Sequence, residues 1–209
     1  MQHSAGRGRR RDPAVDNRIL AAALAEYGRT GWAAFTMDGV ARRAGVGKSS
    51  VYLRWTSKEQ LLADALEMQS RPLTTVDTGS FAGDAAALAT ALMLHFLDPA
   101  GWATVRVAVD AVVEPAAGDF HERIRSGHQA AATRMLVGAV ERGELDPAAP
   151  LQAIADALYG SVLMHVLAMP PAQHDQARAE IAEHIAPLLA VVLAGARAAV
   201  VPASTVDSG

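Results

Sequence analysis

Residues 36–62 read TMDGVARRAGVGKSSVYLRWTSKEQLL, and this stretch has the pattern of a helix-turn-helix. Gly45 supplies the left-handed residue that a tight turn between two helices needs. The apolar side chains that bury one face of the pair are Val40, Ala41, Ala44, Val46, Val51 and Trp55. The outward face at the start of the second helix then carries Gly47, Lys48, Ser49, Ser50 and Tyr52. In such a motif, this is the end that enters the major groove of DNA.

The composition of the whole chain predicts an all-α protein. Its 45 alanines and 51% hydrophobic residues, with only 5% aromatic residues, favour helix over sheet. The spacing of apolar residues and prolines predicts helices after the motif at roughly 82–97, 102–113, 118–142, 150–168 and 174–199. Pro187 is expected to kink or split the last of these.

Four helices, including the two of the motif, are predicted in the first 71 residues, which makes about nine in the whole chain. Asp12 followed by Pro13 has the pattern of an N-cap and a first helical residue. Gly28 together with Gly31 is expected to end this first helix. The next three helices are predicted over 36–45, 48–54 and 57–66.

Charge divides the chain into a basic start and an acidic remainder. Residues 1–71 contain 12 Lys and Arg against 7 Asp and Glu, a net +5, whereas residues 72–209 contain 7 against 15, a net −8. A basic module attached to an acidic body is typical of a protein that meets a polyanion. We predict a flexible basic arm over 1–11, a helix-turn-helix domain over 12–71, a helical body over 72–200 and a disordered tail over 201–209.

Several classes of protein are disfavoured by the sequence. The absence of cysteine excludes disulfides and thiol chemistry. The first 15 residues are polar and rich in arginine, and the longest apolar stretch, 185–201, is interrupted by Pro187, Gly195 and Arg197. We therefore expect no signal peptide, no membrane segment and a cytoplasmic location. HExxH and GxSxG motifs are missing, so we expect no metal site, no cofactor and no enzymatic activity.

The helix-turn-helix region resembles the DNA-binding domain of the TetR family of bacterial transcriptional regulators. The residues that carry the resemblance are Thr36-Met37-Asp38, Val40-Ala41, Ala44-Gly45-Val46, Ser50-Val51-Tyr52, Trp55, Ser57-Lys58-Glu59 and Leu61. By position, it implies that DNA is faced by Thr36, Lys48, Ser49, Ser50, Tyr52 and Arg54, and a phosphate by Lys58. Lys48 can donate to guanine, and we expect Asp38 to cap the second helix rather than to contact a base.

The same resemblance implies an effector pocket inside the helical body. The candidates are bulky residues on helices that are otherwise rich in alanine: Met93, Phe96, Trp102, Val109, Phe120, Met135, Tyr159, Leu163 and His165. Because few charges lie on these faces, we expect a small, largely apolar effector. Tyr159 or His165 is the expected polar contact.

The function that these observations favour is that of a homodimeric repressor, released from a palindromic operator in double-stranded DNA by its effector. The dimer is expected to form through the helices near 150–168 and 174–199, whose apolar stripes include Leu188 and Val192. Two alternatives stay open. One is an activator without a small-molecule effector, and the other is a helical protein-interaction module.

Overall fold

The computed structural model describes residues 12–69, 77–98, 101–113 and 115–199, and every regular element in these ranges is a helix. The α-helices are α1 Pro13–Ala34, α2 Met37–Ala44, α3 Lys48–Tyr52, α4 Lys58–Gln69, α5 Phe81–Leu97, α6 Gly101–Asp110, α7 Pro115–Glu141, α8 Leu151–Ala168, α9 His174–Ala179 and α10 Ile181–Ala198. A 3₁₀ turn, Pro171–Gln173, precedes α9. The predicted all-α class is confirmed, and the predicted arm and tail lie outside the described residues.

Local sequence explains where the first helices begin and end. The Asp12 carboxylate accepts a 3.0 Å hydrogen bond from the Ala14 amide, with Pro13 as the first helical residue. The Thr36 hydroxyl accepts a 3.1 Å hydrogen bond from the Gly39 amide and so caps α2. Gly45 ends α2 with a φ of 64°, which only glycine adopts without strain. The Asp12 cap, Pro13 and the turn at Gly45 were predicted from the sequence, whereas the Thr36 cap was not, because Asp38 was expected to cap α2.

Several predicted boundaries are wrong, among them the end of α6, which lies at Asp110 rather than near residue 113. Gly28 lies inside α1, and the helix is interrupted only at Gly31, where φ is 68°. α3 ends at Tyr52, two residues earlier than predicted. The last helix breaks at Glu180, with φ −108° and ψ 28°, and this break raises the number of described α-helices to ten. Pro187 lies within α10 and does not split it. Proline has no amide hydrogen, so the backbone carbonyl four residues earlier lacks its helical hydrogen bond. Because Pro187 is exposed, water can reach that carbonyl.

The side chains form two hydrophobic cores. The first joins α1, α2, α3 and α4, and α6 contributes Ala103 and Val107 to it. The second joins α5, α7, α8, α9 and α10. α6 therefore packs on the first core although it follows α5 in the chain, and it connects the helix-turn-helix to the rest of the protein.

The last two long helices are more apolar than the sequence argument allowed. By length and composition alone, α8 and α10 are each long and apolar enough to cross a membrane, and the bent pair of α5 and α6 passes the same test taken together. The expectation that no segment is long and apolar enough is therefore wrong. Only 22% of the α8 window and 17% of the α10 window are buried within the chain. Both helices therefore carry apolar surface that no other described part of the chain covers.

Candidate DNA interface and effector site

The surface of α2 and α3 is open to solvent. The Lys48 side chain is 69% exposed and Tyr52 is 54% exposed, while Thr36 and Ser49 are also exposed and Ser50 is half-buried. Gly47 is the N-cap residue of α3 and forms no side-chain cap. The structure thus places these predicted residues together on one accessible surface, which we call the α2–α3 surface.

Asp38 has a different position from the one predicted. Thr36 caps α2, and the Asp38 carboxylate instead reaches α3, where it forms an ion pair with Lys48 Nζ. The Tyr52 hydroxyl also approaches this carboxylate, at 3.4 Å. The hydrogen bond from Lys48 holds the pKa of Asp38 below its ordinary value and raises that of Lys48. The cap prediction is wrong because Asp38 is the second residue inside α2, whereas Thr36 holds the N-cap position and its hydroxyl accepts the Gly39 amide.

Two predicted DNA contacts have partners inside the protein. Arg54 Nε donates to the Asp16 carboxylate of α1, and Arg54 Nη1 donates to the Ser50 carbonyl at 2.8 Å. Lys58 Nζ donates to the Trp32 carbonyl at 3.1 Å and lies 4.2 Å from the centroid of the Trp32 ring. These cations hold α3 and α4 against α1, and their contact with phosphate stays a prediction.

Leu53 was missed by the sequence analysis. It follows Tyr52 directly, where α3 has already ended, and it is 81% exposed. An apolar side chain here can contact the methyl group of thymine. The sequence shows a leucine between a tyrosine and an arginine, which is a possible sign of an exposed apolar residue. Whether Leu53 is exposed depends on where α3 ends.

A buried carboxylate connects α6 to the end of α1. Asp110 is 8% exposed and accepts hydrogen bonds from the Tyr27 hydroxyl at 2.8 Å, from the Trp32 amide at 2.9 Å and from Arg106 Nε at 3.3 Å. Burial raises the pKa of Asp110, but the three donors more than offset that effect and hold the pKa below its ordinary value. The ionised carboxylate thus ties the end of α6 to the end of α1.

Most of the predicted effector residues lie together in the second core. Met93, Phe96 and Met135 are buried in it, and partly buried side chains packed against it include Trp102, Tyr159 and Leu163. The Phe96 and Tyr159 rings meet edge to face, with centroids 5.4 Å apart. These six residues come from α5, α6, α7 and α8 and share one core.

One candidate, Val109, does not join this cluster. Val109 is 60% exposed, because α6 turns Val107 and Asp110 inward and Val109 lies between them on the opposite face. Its prediction as an inward-facing residue is therefore wrong. Phe120 belongs to α7, but its side chain lies outside the part of the structure that can be described.

The polar groups of the cluster include one that sequence reasoning did not single out. His95 Nε2 lies 3.0 Å from the Thr104 hydroxyl, and that hydroxyl donates its only proton to the Gly101 carbonyl at 2.7 Å. Nε2 must therefore be the donor, which fixes the tautomer. Burial lowers the pKa of His95, so the imidazole stays neutral at neutral pH. Burial also raises the pKa of Tyr159 to about 12, so its phenol remains protonated.

His165 is engaged with a second histidine. Its Nε2 lies 3.0 Å from Nδ1 of His184 in α10, and the two rings are 5.2 Å apart. Burial and the neighbouring histidine lower the pKa of His165. Within the described residues, no group of three or more His, Asp or Glu side chains has the arrangement of a metal site.

Taken together, a capped helix-turn-helix with an exposed basic end and a separate helical body define a DNA-binding regulator with a ligand-binding domain. Comparison with family models agrees. Residues 19–65 match the model described as bacterial regulatory proteins, tetR family, and residues 75–197 match the tetracyclin repressor-like C-terminal domain. The chain belongs to the TetR family of transcriptional regulators. The resemblance stated from the sequence is confirmed, and the family is one of regulators rather than enzymes.

Curated relatives are similar over most of their length. The uncharacterised HTH-type transcriptional regulator YdeS of Bacillus subtilis is 29% identical over 164 residues, which are 77% of this chain and 82% of YdeS. The HTH-type transcriptional regulator AqdR of Rhodococcus erythropolis is 29% identical over 166 residues, 79% of this chain and 80% of AqdR. The structure of FadR from Bacillus subtilis in complex with stearoyl-CoA shares the fold, with TM-score 0.60, 15% identity and coverage of 85% of this chain and 97% of FadR.

Proposed function

We propose that this regulator is a repressor that binds a palindromic operator as a homodimer and is released by a small, largely apolar effector. The observation that supports DNA binding through the α2–α3 surface is the exposure of Thr36, Lys48, Ser49 and Tyr52 around the start of α3. Hydroxyls and an ammonium group there suit base edges and phosphate oxygens. We also propose a cytoplasmic location, since the DNA lies there.

The operator contacts divide by chemistry. Lys48 is the proposed base-reading residue, because its ammonium group can donate to guanine O6 and N7. The hydroxyls of Thr36 and Tyr52 are proposed phosphate contacts, and Ser49 and Ser50 are polar contacts that accept several bases. Leu53 supplies the apolar contact. Gly47 lets the backbone at the start of α3 approach the groove closely.

The dimer is proposed to form through the exposed faces of α8 and α10. Met164 is 61% exposed, Leu167 is 46% exposed and Val191 is 74% exposed, so these side chains offer an apolar surface to a second copy. Val192 is buried and Leu188 packs against the second core, so both serve the core of one chain rather than the interface. The interface proposed here therefore uses other faces of the same two helices than the contact predicted from the sequence.

Effector release is proposed to act through α6. A ligand that inserts among Phe96, Trp102 and Tyr159 would displace the start of α6, while its end is tied to α1 through Asp110. A displacement of α1 changes the spacing of the two α3 helices in a dimer, and a ligand lowers operator affinity only by its preference for that altered state. Moving occupancy from 99% to 1% needs about 5.5 kcal/mol, which two ligands per dimer can supply jointly.

Enrichment of duplexes from a random-sequence pool tests DNA binding directly. We expect the full chain to enrich an inverted repeat and to bind it as two protomers per duplex. Failure to enrich any sequence, together with the absence of salt-dependent binding, would refute the proposal and favour a protein-interaction module.

A thermal-shift screen of small apolar compounds, followed by titration of the enriched duplex with each stabilising compound, tests effector release. We expect at least one compound to weaken operator binding, and to lose its effect on melting temperature in the Trp102→Ala variant. Compounds that stabilise the body but leave operator affinity unchanged would contradict release.

A further inference from the structure

One acidic side chain lies on the α2–α3 surface between two groups proposed to bind DNA. Asp38 forms an ion pair with Lys48 and accepts the Tyr52 hydroxyl at 3.4 Å. Its side chain is 42% exposed, so solvent and DNA can reach it. From Thr36 to Tyr52 the sequence contains no other acid. Asp38 is therefore the one acidic side chain that residues 36–52 contribute to this surface.

The electrostatic effect of this carboxylate depends on what the surface meets. A phosphate offers only acceptor oxygens and a negative charge, so it can satisfy Lys48 but repels Asp38. A base-pair edge in the major groove offers acceptors beside amino donors, such as guanine O6 beside cytosine N4. On such an edge, Lys48 can donate to guanine O6 and Asp38 can accept from cytosine N4, so each replaces its bond to the other with a bond to the base pair. The same pair is thus suited to bases and poorly suited to the phosphate backbone.

We propose that Asp38 is a specificity-determining residue. In the free protein its carboxylate binds Lys48 and Tyr52, and it disfavours every DNA contact that does not replace both of these hydrogen bonds. This inference rests on the proposed function, because it assumes that the α2–α3 surface is the one that binds DNA. Specificity of this kind comes from penalising the wrong partner as well as from attracting the right one. Asp38 is in this sense a positioning residue for Lys48, and it acts by keeping the Lys48 ammonium group from phosphate.

The test compares the wild-type protein with Asp38→Asn and Asp38→Ala on two duplexes. One duplex is the sequence enriched by the wild type from a random pool, and the other is a scrambled sequence of the same composition. Removing the carboxylate frees one cation for phosphate, so binding to the scrambled duplex should strengthen about fivefold at 0.15 M salt, with a salt slope steeper by about 0.9. The affinity ratio of enriched to scrambled duplex should fall at least about tenfold, in line with one base contact.

Glu59→Gln is the matched control, because Glu59 is an exposed acid in the first turn of α4 and its replacement changes net charge by the same amount. We expect this variant to keep the wild-type affinity ratio. An equal loss of discrimination in Glu59→Gln would show that net charge alone is responsible and would overturn the inference. An unchanged ratio in both Asp38 variants would overturn it as well.

The Lys48→Ala background separates the role of Asp38 as a partner of Lys48 from simple repulsion. With Lys48 absent, the Asp38→Asn change should gain less than twofold on the scrambled duplex, since no cation is freed. A full fivefold gain in that background would contradict the proposed coupling. If the wild type itself enriches no duplex, the proposed function fails. If it enriches one and the Asp38 variants discriminate as it does, only this inference fails.

Discussion

The Tyr27 hydroxyl of α1 donates a 2.8 Å hydrogen bond to Asp110 of α6, and 83 residues of sequence separate the two. The same carboxylate oxygen accepts the Trp32 amide at 2.9 Å, just after Gly31 interrupts α1. Burial and the hydrogen bond to Asp110 raise the pKa of Tyr27, so the hydroxyl remains a donor. This contact makes α6 the direct connection between the helical body and the DNA-binding domain.

The first prediction concerns this hydrogen bond. Tyr27→Phe removes the hydroxyl and leaves a buried carboxylate with one donor fewer, so it should lower the free energy of unfolding by about 1.5 to 3 kcal/mol. Urea denaturation at pH 7 measures this change. Tyr52→Phe is the control, because Tyr52 is 54% exposed, and it should cost less than about 0.5 kcal/mol. Equal costs in the two variants would contradict a coupling role for the Tyr27–Asp110 bond.

The second prediction concerns the two glycines that end or interrupt helices of the DNA-binding domain. Gly31 and Gly45 both have positive φ, but a Cβ at Gly31 would overlap the Arg106 guanidinium, whereas nothing lies within 4 Å of one at Gly45. Gly45→Ala should cost about 1 to 2 kcal/mol from conformation alone. Gly31→Ala should cost more, since a φ of 68° with a ψ of 179° lies outside the left-handed region that alanine can adopt, and Arg106 must also move. It should also weaken operator release by the effector. Melting temperatures and operator titrations measure both, and a smaller cost at Gly31 would be inconsistent with this packing.

The third prediction concerns acid stability. Hydrogen bonds from Arg29 and Arg43 hold the pKa of the buried Glu26 carboxyl below its ordinary value, although burial opposes them. A lowered pKa in the folded state means that this stabilisation is complete above the ordinary value of about 4.5 and is lost as pH falls below it. Glu26→Gln should therefore be less stable than wild type at pH 7 and lose less stability between pH 6 and pH 3. The exposed variant Glu59→Gln should follow the wild-type profile of urea midpoint against pH; identical profiles for all three proteins would refute this account.

The fourth prediction concerns the dimer. Val191→Glu and Met164→Glu place a charge on the exposed faces of α8 and α10, so they should give monomers with far weaker operator binding and little change in melting behaviour of the single chain. Leu94→Glu is a matched control on α5, where the side chain is 43% exposed outside that surface. Sedimentation at micromolar concentration measures the state. A stable wild-type monomer, or dimers in all three variants, would contradict the proposed interface.

The parts of the fold that the sequence predicted are those set by local chemistry. The cap at Asp12 and the left-handed Gly45 each involve residues within one turn of the chain, and the motif that contains Gly45 identified the DNA-binding domain. The pairing of Asp38 with Lys48 was not predicted, since it depends on how closely α3 crosses α2. The exposure of Val109 was missed for a similar reason, because which face of α6 turns inward is decided by α1.

Longer contacts were beyond sequence reasoning. Arg54 pairs with Asp16 across 38 residues, and no spacing rule connects them. The break at Glu180 was also missed, since neither proline nor glycine marks it. The interruption of the last helix was predicted at Pro187 instead. The apolar pattern of α10 predicted a dimer contact that includes Leu188 and Val192, but it did not show that these two pack in or against the core of one chain while Val191 is exposed.

Titration of Lys48→Ala against the enriched and the scrambled duplex is the most direct test of the claim that the α2–α3 surface reads DNA. The wild type should prefer the enriched duplex, and its affinity should fall steeply with salt. Lys48→Ala should lose about 1 to 3 kcal/mol on the enriched duplex but much less on the scrambled one. Equal losses on both duplexes, or wild-type affinity in the variant, would contradict base reading by this surface.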